Sequence, residues 1–235
     1  MKILLLAGSV FIFISCGSRN GEVKEYYDTI KAELHTKQNN IDAILSEIKD
    51  NDEKSFEEMQ DTTKIQDEVK FAIRHPKDVK CKLPPIYKPD YFLVNAEMKK
   101  KVRYKYFAAT DSRATDLFTD DMYYIIKKDS LKYELFLDIF KNKVADFTKR
   151  KYLIVLDCIY YKNTVQPDLY STDFVKGHVV KRVDIYSIEN RKLLDSYYLF
   201  ASSSGFIQHD KESFADFNED LGNNLVKELD RSLCY

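Results

Sequence analysis

Of the residues that could do chemistry, Cys16 has the most distinctive setting. It closes a short apolar run, Ile3 to Ile14, through Ser15, with Lys2 ahead of the run. A basic start, ~7–15 apolar residues and a small residue before the cut make a secretory signal. The Cys16 thiol therefore stands where a new amino terminus would form. The run is shorter than the ~20 apolar residues a membrane span needs. The other cysteines, Cys81, Cys158 and Cys234, are odd in number and cannot all pair with one another. Cys158 lies in Leu153-Ile154-Val155-Leu156-Asp157-Cys158-Ile159, which reads as buried strand and makes it a core thiol. Cys81 and Cys234 could bridge only if the fold brings them close, which sequence does not show.

The remaining candidates are weaker. Ser202-Ser203-Ser204-Gly205 with His209 and Asp210 holds the residue types of a serine hydrolase, but the Gly-x-Ser-x-Gly elbow is missing. Asp120-Asp121 and Asp216 with Glu219-Asp220 could be paired acids, yet such pairs on helices are usually solvated faces. His35, His75, His178 and His209 are scattered in polar company and read as surface residues. No Cys or His pair has metal-site spacing, and six glycines argue against phosphate-cradling loops. No catalytic, cofactor or metal residue is expected. The near-neutral formal charge of −1 gives no case for nucleic acid.

Lys2, the apolar run and Phe13-Ile14-Ser15-Cys16 resemble the lipobox of bacterial lipoproteins, in the looser form found in Bacteroidetes. Phe13-Ile14 departs from the more usual small residue and leucine. The resemblance implies cleavage before Cys16 and acylation of that residue; the alternatives are an ordinary signal peptide cut near Ser15 and an uncleaved amino-terminal anchor. One acyl chain, at ~0.8 kcal/mol per buried CH₂, holds a protein marginally, whereas two or more hold it stably. Gly17, in place of an inner-membrane retention aspartate, favours the outer membrane. Ser18-Arg19-Asn20-Gly21 before Glu22 favours a periplasm-facing protein. Asp28-Thr29-Ile30, Asp61-Thr62-Thr63 and Asp129-Ser130-Leu131 resemble the O-glycosylation sites of Bacteroidetes.

Two surface features suggest binding. Lys99-Lys100-Lys101-Val102-Arg103-Tyr104-Lys105-Tyr106 could meet anionic lipid or polysaccharide. It reads more simply as a strand edge protected by lysines. Tyrosine pairs recur at Tyr26-Tyr27, Tyr123-Tyr124, Tyr160-Tyr161 and Tyr197-Tyr198, and in a strand each pair sends one ring to either face. Outward rings could stack on sugars or partner side chains. Packing with a wet hydroxyl is the plainer role, and the absence of tryptophan weakens a glycan platform.

The elements follow from periodicity. Residues 1–15 form the signal and 16–21 a lipidated tether. Residues 22–75, free of proline and glycine, form a helical segment. Tyr27, Ile30, Leu34, Ile41, Ile44 and Ile48 recur at steps of three and four, a coiled-coil or packing seam. The register breaks near Lys49-Asp50-Asn51-Asp52-Glu53, which favours a helical hairpin over a single rod ~75 Å long. Residues 76–97 hold four of the five prolines and read as a linker. Residues 98–235 form an α+β domain. Strands are expected at 102–106, 152–161, 179–188 and 192–200, the last two joined by Glu189-Asn190-Arg191. Helices are expected at 113–127, 130–148 and 211–233. The fold class is α+β, a mainly antiparallel sheet with helices on one face.

Tyr152-Leu153-Ile154-Val155-Leu156-Asp157, the hairpin and the closing helix resemble the carboxyl-terminal part of envelope lipoprotein domains related to the TolB amino-terminal domain and to LpoB. The likeness spans 152–233, about a third of the chain, with no invariant motif. It implies a partner-binding accessory domain. The expected function is a non-enzymatic envelope lipoprotein, held to the membrane through Cys16 and binding another envelope protein. The alternative is a glycan-binding module or an enzyme with an unrecognised site.

Overall fold

The computed structural model describes residues 6–48, 81–87, 90–95, 117, 120–129, 131, 136–162, 176–203 and 215–234. Among these are four helices and one four-stranded mixed sheet. In chain order they are α1 (Leu6–Glu47), β1 (Tyr91–Asn95), α2 (Asp121–Lys128), α3 (Leu137–Lys149), β2 (Tyr152–Lys162), β3 (His178–Ser187), β4 (Leu193–Ser202) and α4 (Ala215–Cys234). The sheet order is β1-β2-β3-β4.

The α+β class holds, and the sheet is not purely antiparallel. β2–β3 and β3–β4 are antiparallel, but β1 runs parallel to β2, with Tyr91 opposite Tyr152 and Val94 opposite Val155. Parallel neighbours need a long crossover. Here that connection carries α2 and α3.

The linker reading of 76–97 is corrected where the structure describes it. Tyr91-Phe92-Leu93-Val94 is a run of β-forming residues and makes β1. Ahead of it, the Cys81 amide donates to Ser232 O at 3.1 Å and the Ile86 amide to Leu233 O at 2.9 Å. Cys81 and Ile86 are buried. Pro84 and Pro85 sit within this docked segment and do not release the chain from the body. The tether expected at 16–21 is also helical backbone, continuous with the rest of α1.

Helices cover both faces of the sheet, not one. Alternation along β2 sends Leu153 and Val155 to one side, where Phe92 and Val94 join α1, α2 and α3. Ile154, Leu156 and Cys158 go to the other side with Tyr91, Leu93 and the α4 residues Leu221, Leu225, Leu229 and Leu233. A strand apolar on both faces needs two covering layers.

Two helix starts shift from the expected positions. α2 starts at Asp121 rather than near 113. The Asp120 side chain accepts from the amides of Met122 and Tyr123 and fixes that end. α2 stops at Asp129, which takes the left-handed conformation with φ 45°. α3 starts at Leu137 rather than 130, after an extended Phe136. The β3–β4 turn falls at Glu189-Asn190-Arg191 as expected. Arg191 has φ 58°, and the Lys192 amide donates to Asn190 Oδ1 at 3.3 Å. The strand at 102–106, the second half of the helical segment and its turn at 49–53 lie outside the described residues.

Candidate functional site

Cys16 lies on α1, so what α1 touches decides what Cys16 is fixed to. From Val23 on, the helix sinks an apolar stripe into the core. Val23, Tyr27, Leu34, Ile41 and Ile44 are buried, with Ile30 and Ile48 partly buried. This is the three-and-four seam read from the sequence, and its partners are α2, α3 and the sheet. Burying a large apolar side chain stabilises by ~1.5–3 kcal/mol, so this stripe alone binds α1 firmly.

The skipped step in that seam, between Leu34 and Ile41, is occupied by Lys37. Its Nζ donates to Thr148 O at 2.8 Å and to Arg150 O. Both carbonyls lie at the end of α3, where helices leave acceptors unsatisfied and favour a cation. Nζ also lies 5.4 Å from the Phe147 ring centroid. Burial lowers the Lys37 pKa to about 8.

Each end of α2 is clipped. At its start, the Asp120 carboxylate accepts from Arg150 Nη1 at 2.6 Å, and the Arg150 guanidinium lies 4.4 Å from the Phe92 ring centroid. At its end, Asp129 accepts from Tyr27 Oη at 3.2 Å and from Lys31 Nζ at 2.6 Å, with His35 Nε2 at 3.9 Å. The Lys31 hydrogen bond holds the Asp129 carboxyl below its ordinary range. Burial and the Asp129 charge push Tyr27 up to about 12. Further along, Tyr123 Oη donates to Asp42 at 2.8 Å, and Gln38 Nε2 donates to the other oxygen of Asp42 at 3.1 Å.

A second polar group sits on β2–β4. Arg182 reaches Asp157 at 3.3 Å and Asp184 at 3.0 Å, and Ser196 Oγ donates to Asp184 at 2.6 Å. Burial works against the Arg182 charge, but the two carboxylates outweigh it and hold its pKa above the ordinary value. Every ion here has its counterpart, which is the pattern of a cross-strand clip rather than a poised acid or base.

The sequence candidates separate accordingly. Ser203 is buried; its Oγ accepts from the Gly177 amide at 3.0 Å, and its own amide donates to Gly177 O. Asp120 caps α2 while Asp121 pairs with Lys143. His178 stacks on Phe200, with ring centroids 5.5 Å apart. Cys158 is buried, as expected of a core thiol. Cys81 is a free thiol, raised in pKa by burial. Tyr197 turns to α4 and bonds Ser232 at 2.7 Å, while Tyr198 packs with the other face, as the pairing rule requires. The 99–106 basic cluster, residues 204–210 and His75 lie outside the described residues.

Among the described residues no group of His, Cys, Asp or Glu is placed to hold a metal ion. No described helix is long and apolar enough to cross a membrane. Sequence reasoning missed Lys37 and Asp129 as the fastenings of α1. A lysine interrupting an apolar seam was the available signal for the first. Comparison with protein-family models, curated proteins and solved structures finds no match to this chain.

Proposed function

We propose that the chain is a lipid-anchored protein of the bacterial cell envelope, acylated on Cys16 and cleaved before it. In this reading the α/β body acts as a non-enzymatic binding or assembly module for another envelope protein. The outer membrane, facing the periplasm, is the favoured address.

The observation that carries this reading is the continuity of α1. The helix that bears Cys16 enters the domain core at Val23, seven residues on, a rise of ~10 Å. An acyl group at Cys16 would hold the folded body against the bilayer rather than on a loose leash. Surface confinement raises the effective concentration of a partner, so a modest interface suffices. The likeness of 152–233 to partner-binding envelope domains points the same way.

The test is crosslinking in intact cells followed by recovery of the tagged full chain from membranes. The reading predicts a reproducible protein partner that is lost with Cys16→Ala. Recovery of the chain alone, in repeated experiments, contradicts the partner-binding part.

A further inference from the structure

Three helix contacts set the orientation of the layer that contains Cys16. Tyr27 of α1 meets Phe140 of α3, with ring centroids 6.2 Å apart. Ten residues further along α1, Lys37 reaches Thr148 and Arg150 at the end of α3. The two helices are therefore parallel, so Phe136, which caps the start of α3, is at the end of that helix toward Cys16. Cys16 lies seven residues before Val23 on α1, ~10 Å along the helix. α2 runs the opposite way, because Asp120 and Asp121 at its start pair with Arg150 and Lys143.

That ion pair also registers an exposed stripe. Tyr124 lies three residues after Asp121 and Ile139 four before Lys143, spacings that keep each on the ion-paired face of its helix, and Phe136 is the extended residue that caps the start of α3. These three are exposed apolar side chains: Tyr124 50%, Ile139 46% and Phe136 62%. Lys128 lies over the Tyr124 ring at 5.4 Å, and Lys141 over the Tyr26 ring at 5.4 Å. Aromatic rings beside lysines suit the boundary between water and lipid.

We propose that Tyr124, Ile139 and Phe136 form a membrane-contact stripe, lying in the headgroup region of the bilayer that holds the acyl chains of Cys16. The inference rests on the lipid-anchor reading. The three side chains carry no charge, so the contact depends on apolar insertion, and zwitterionic lipid suffices. The stripe sets the tilt of the body, with β4 and α4 turned away from the membrane.

The chain contains no tryptophan, so a single introduced indole reports without background. Full-length acylated Phe136→Trp, Tyr124→Trp and Tyr87→Trp are reconstituted in phosphatidylcholine vesicles brominated near the headgroup. Tyr87 is the control: it is 56% exposed, beside the end of α4 on the other side of the sheet. Emission at 136 and 124 should fall to roughly half while 87 keeps its intensity, as insertion by ~5–10 Å requires. Equal emission at all three sites in acyl-labelled protein overturns the stripe and leaves the anchor standing. So does a protein crosslinked to 136 without lipid quenching. Absence of an acyl label on Cys16 overturns both.

Discussion

The ammonium of Lys37 on α1 donates to the backbone carbonyl of Thr148 at the end of α3, at 2.8 Å. The contact ties the helix that carries Cys16 to the helical layer of the domain, and it does so inside an otherwise apolar seam. Burial brings the Lys37 pKa from 10.5 to about 8. Below pH 8 the ammonium is charged in both folded and unfolded chains, and the folded chain carries the desolvation cost. Between about 8 and 10.5 the unfolded chain keeps the proton that the folded chain has released, so stability rises with pH. The urea midpoint should rise from pH 7.5 to 9.5 by an amount equivalent to ~1 kcal/mol, allowing for solvent screening. Lys37→Met should flatten that rise. Above pH 10 the trend reverses, because Tyr27 holds its proton to about 12 and the unfolded chain does not.

Asp129 gives a dependence of the same sign at the acid end of the range. Its carboxyl is held below the ordinary 3.8 by the Lys31 hydrogen bond, so its contribution is present above that value and disappears as pH falls through the folded pKa. Asp129→Asn should be less stable than the wild type at pH 4–6, the difference should close as pH falls below 3.8, and hydrogen exchange should rise first in Tyr27–His35. Unchanged exchange there would show that Asp129 does not fasten α1.

Leu34 is fully buried in the α1 seam. Leu34→Ala should cost ~2–5 kcal/mol, as for other large-to-small core changes. Glu33→Ala, one residue away and exposed, should cost less than ~0.5 kcal/mol. Equal denaturation midpoints for the two would mean that α1 is not part of the folded core.

Much of this was legible in the sequence because burial imposes a period. Ile41 and Ile44 fall on the packed face of α1 as their spacing required, and Cys158 sits inside β2 as its apolar run required. β1 was missed because five residues are too short for a period, and the prolines before Tyr91 masked it. The parallel pairing of Tyr91 with Tyr152 is a tertiary choice that no local signal carries. α2 begins at Asp121 because Asp120 caps it, and an aspartate in a polar stretch is ambiguous until the fold supplies Arg150. The polar fastenings join residues as far apart as Lys31 and Asp129, a pairing that no single segment reveals. The Ser203–Gly177 backbone contact is likewise a long-range pairing that no single segment reveals.

Cys81 and Cys158 are buried, and burial raises the Cys81 pKa. Thiolate is the reactive form, so both should resist iodoacetamide in the native chain and label fully in denaturant. Site-resolved mass spectrometry checks this. Rapid native labelling of Cys81 would place the 81–87 segment off the body.

The most direct test of the account is the state of Cys16. Cells expressing the tagged chain are fed an alkyne fatty acid, and label and membrane fractionation are read for wild type and Cys16→Ala. The account predicts a labelled wild-type protein beginning at Cys16 in the membrane fraction, and an unlabelled Cys16→Ala protein outside it. A wild-type chain without label, or a Cys16→Ala chain that stays acylated and membrane-bound, would contradict it.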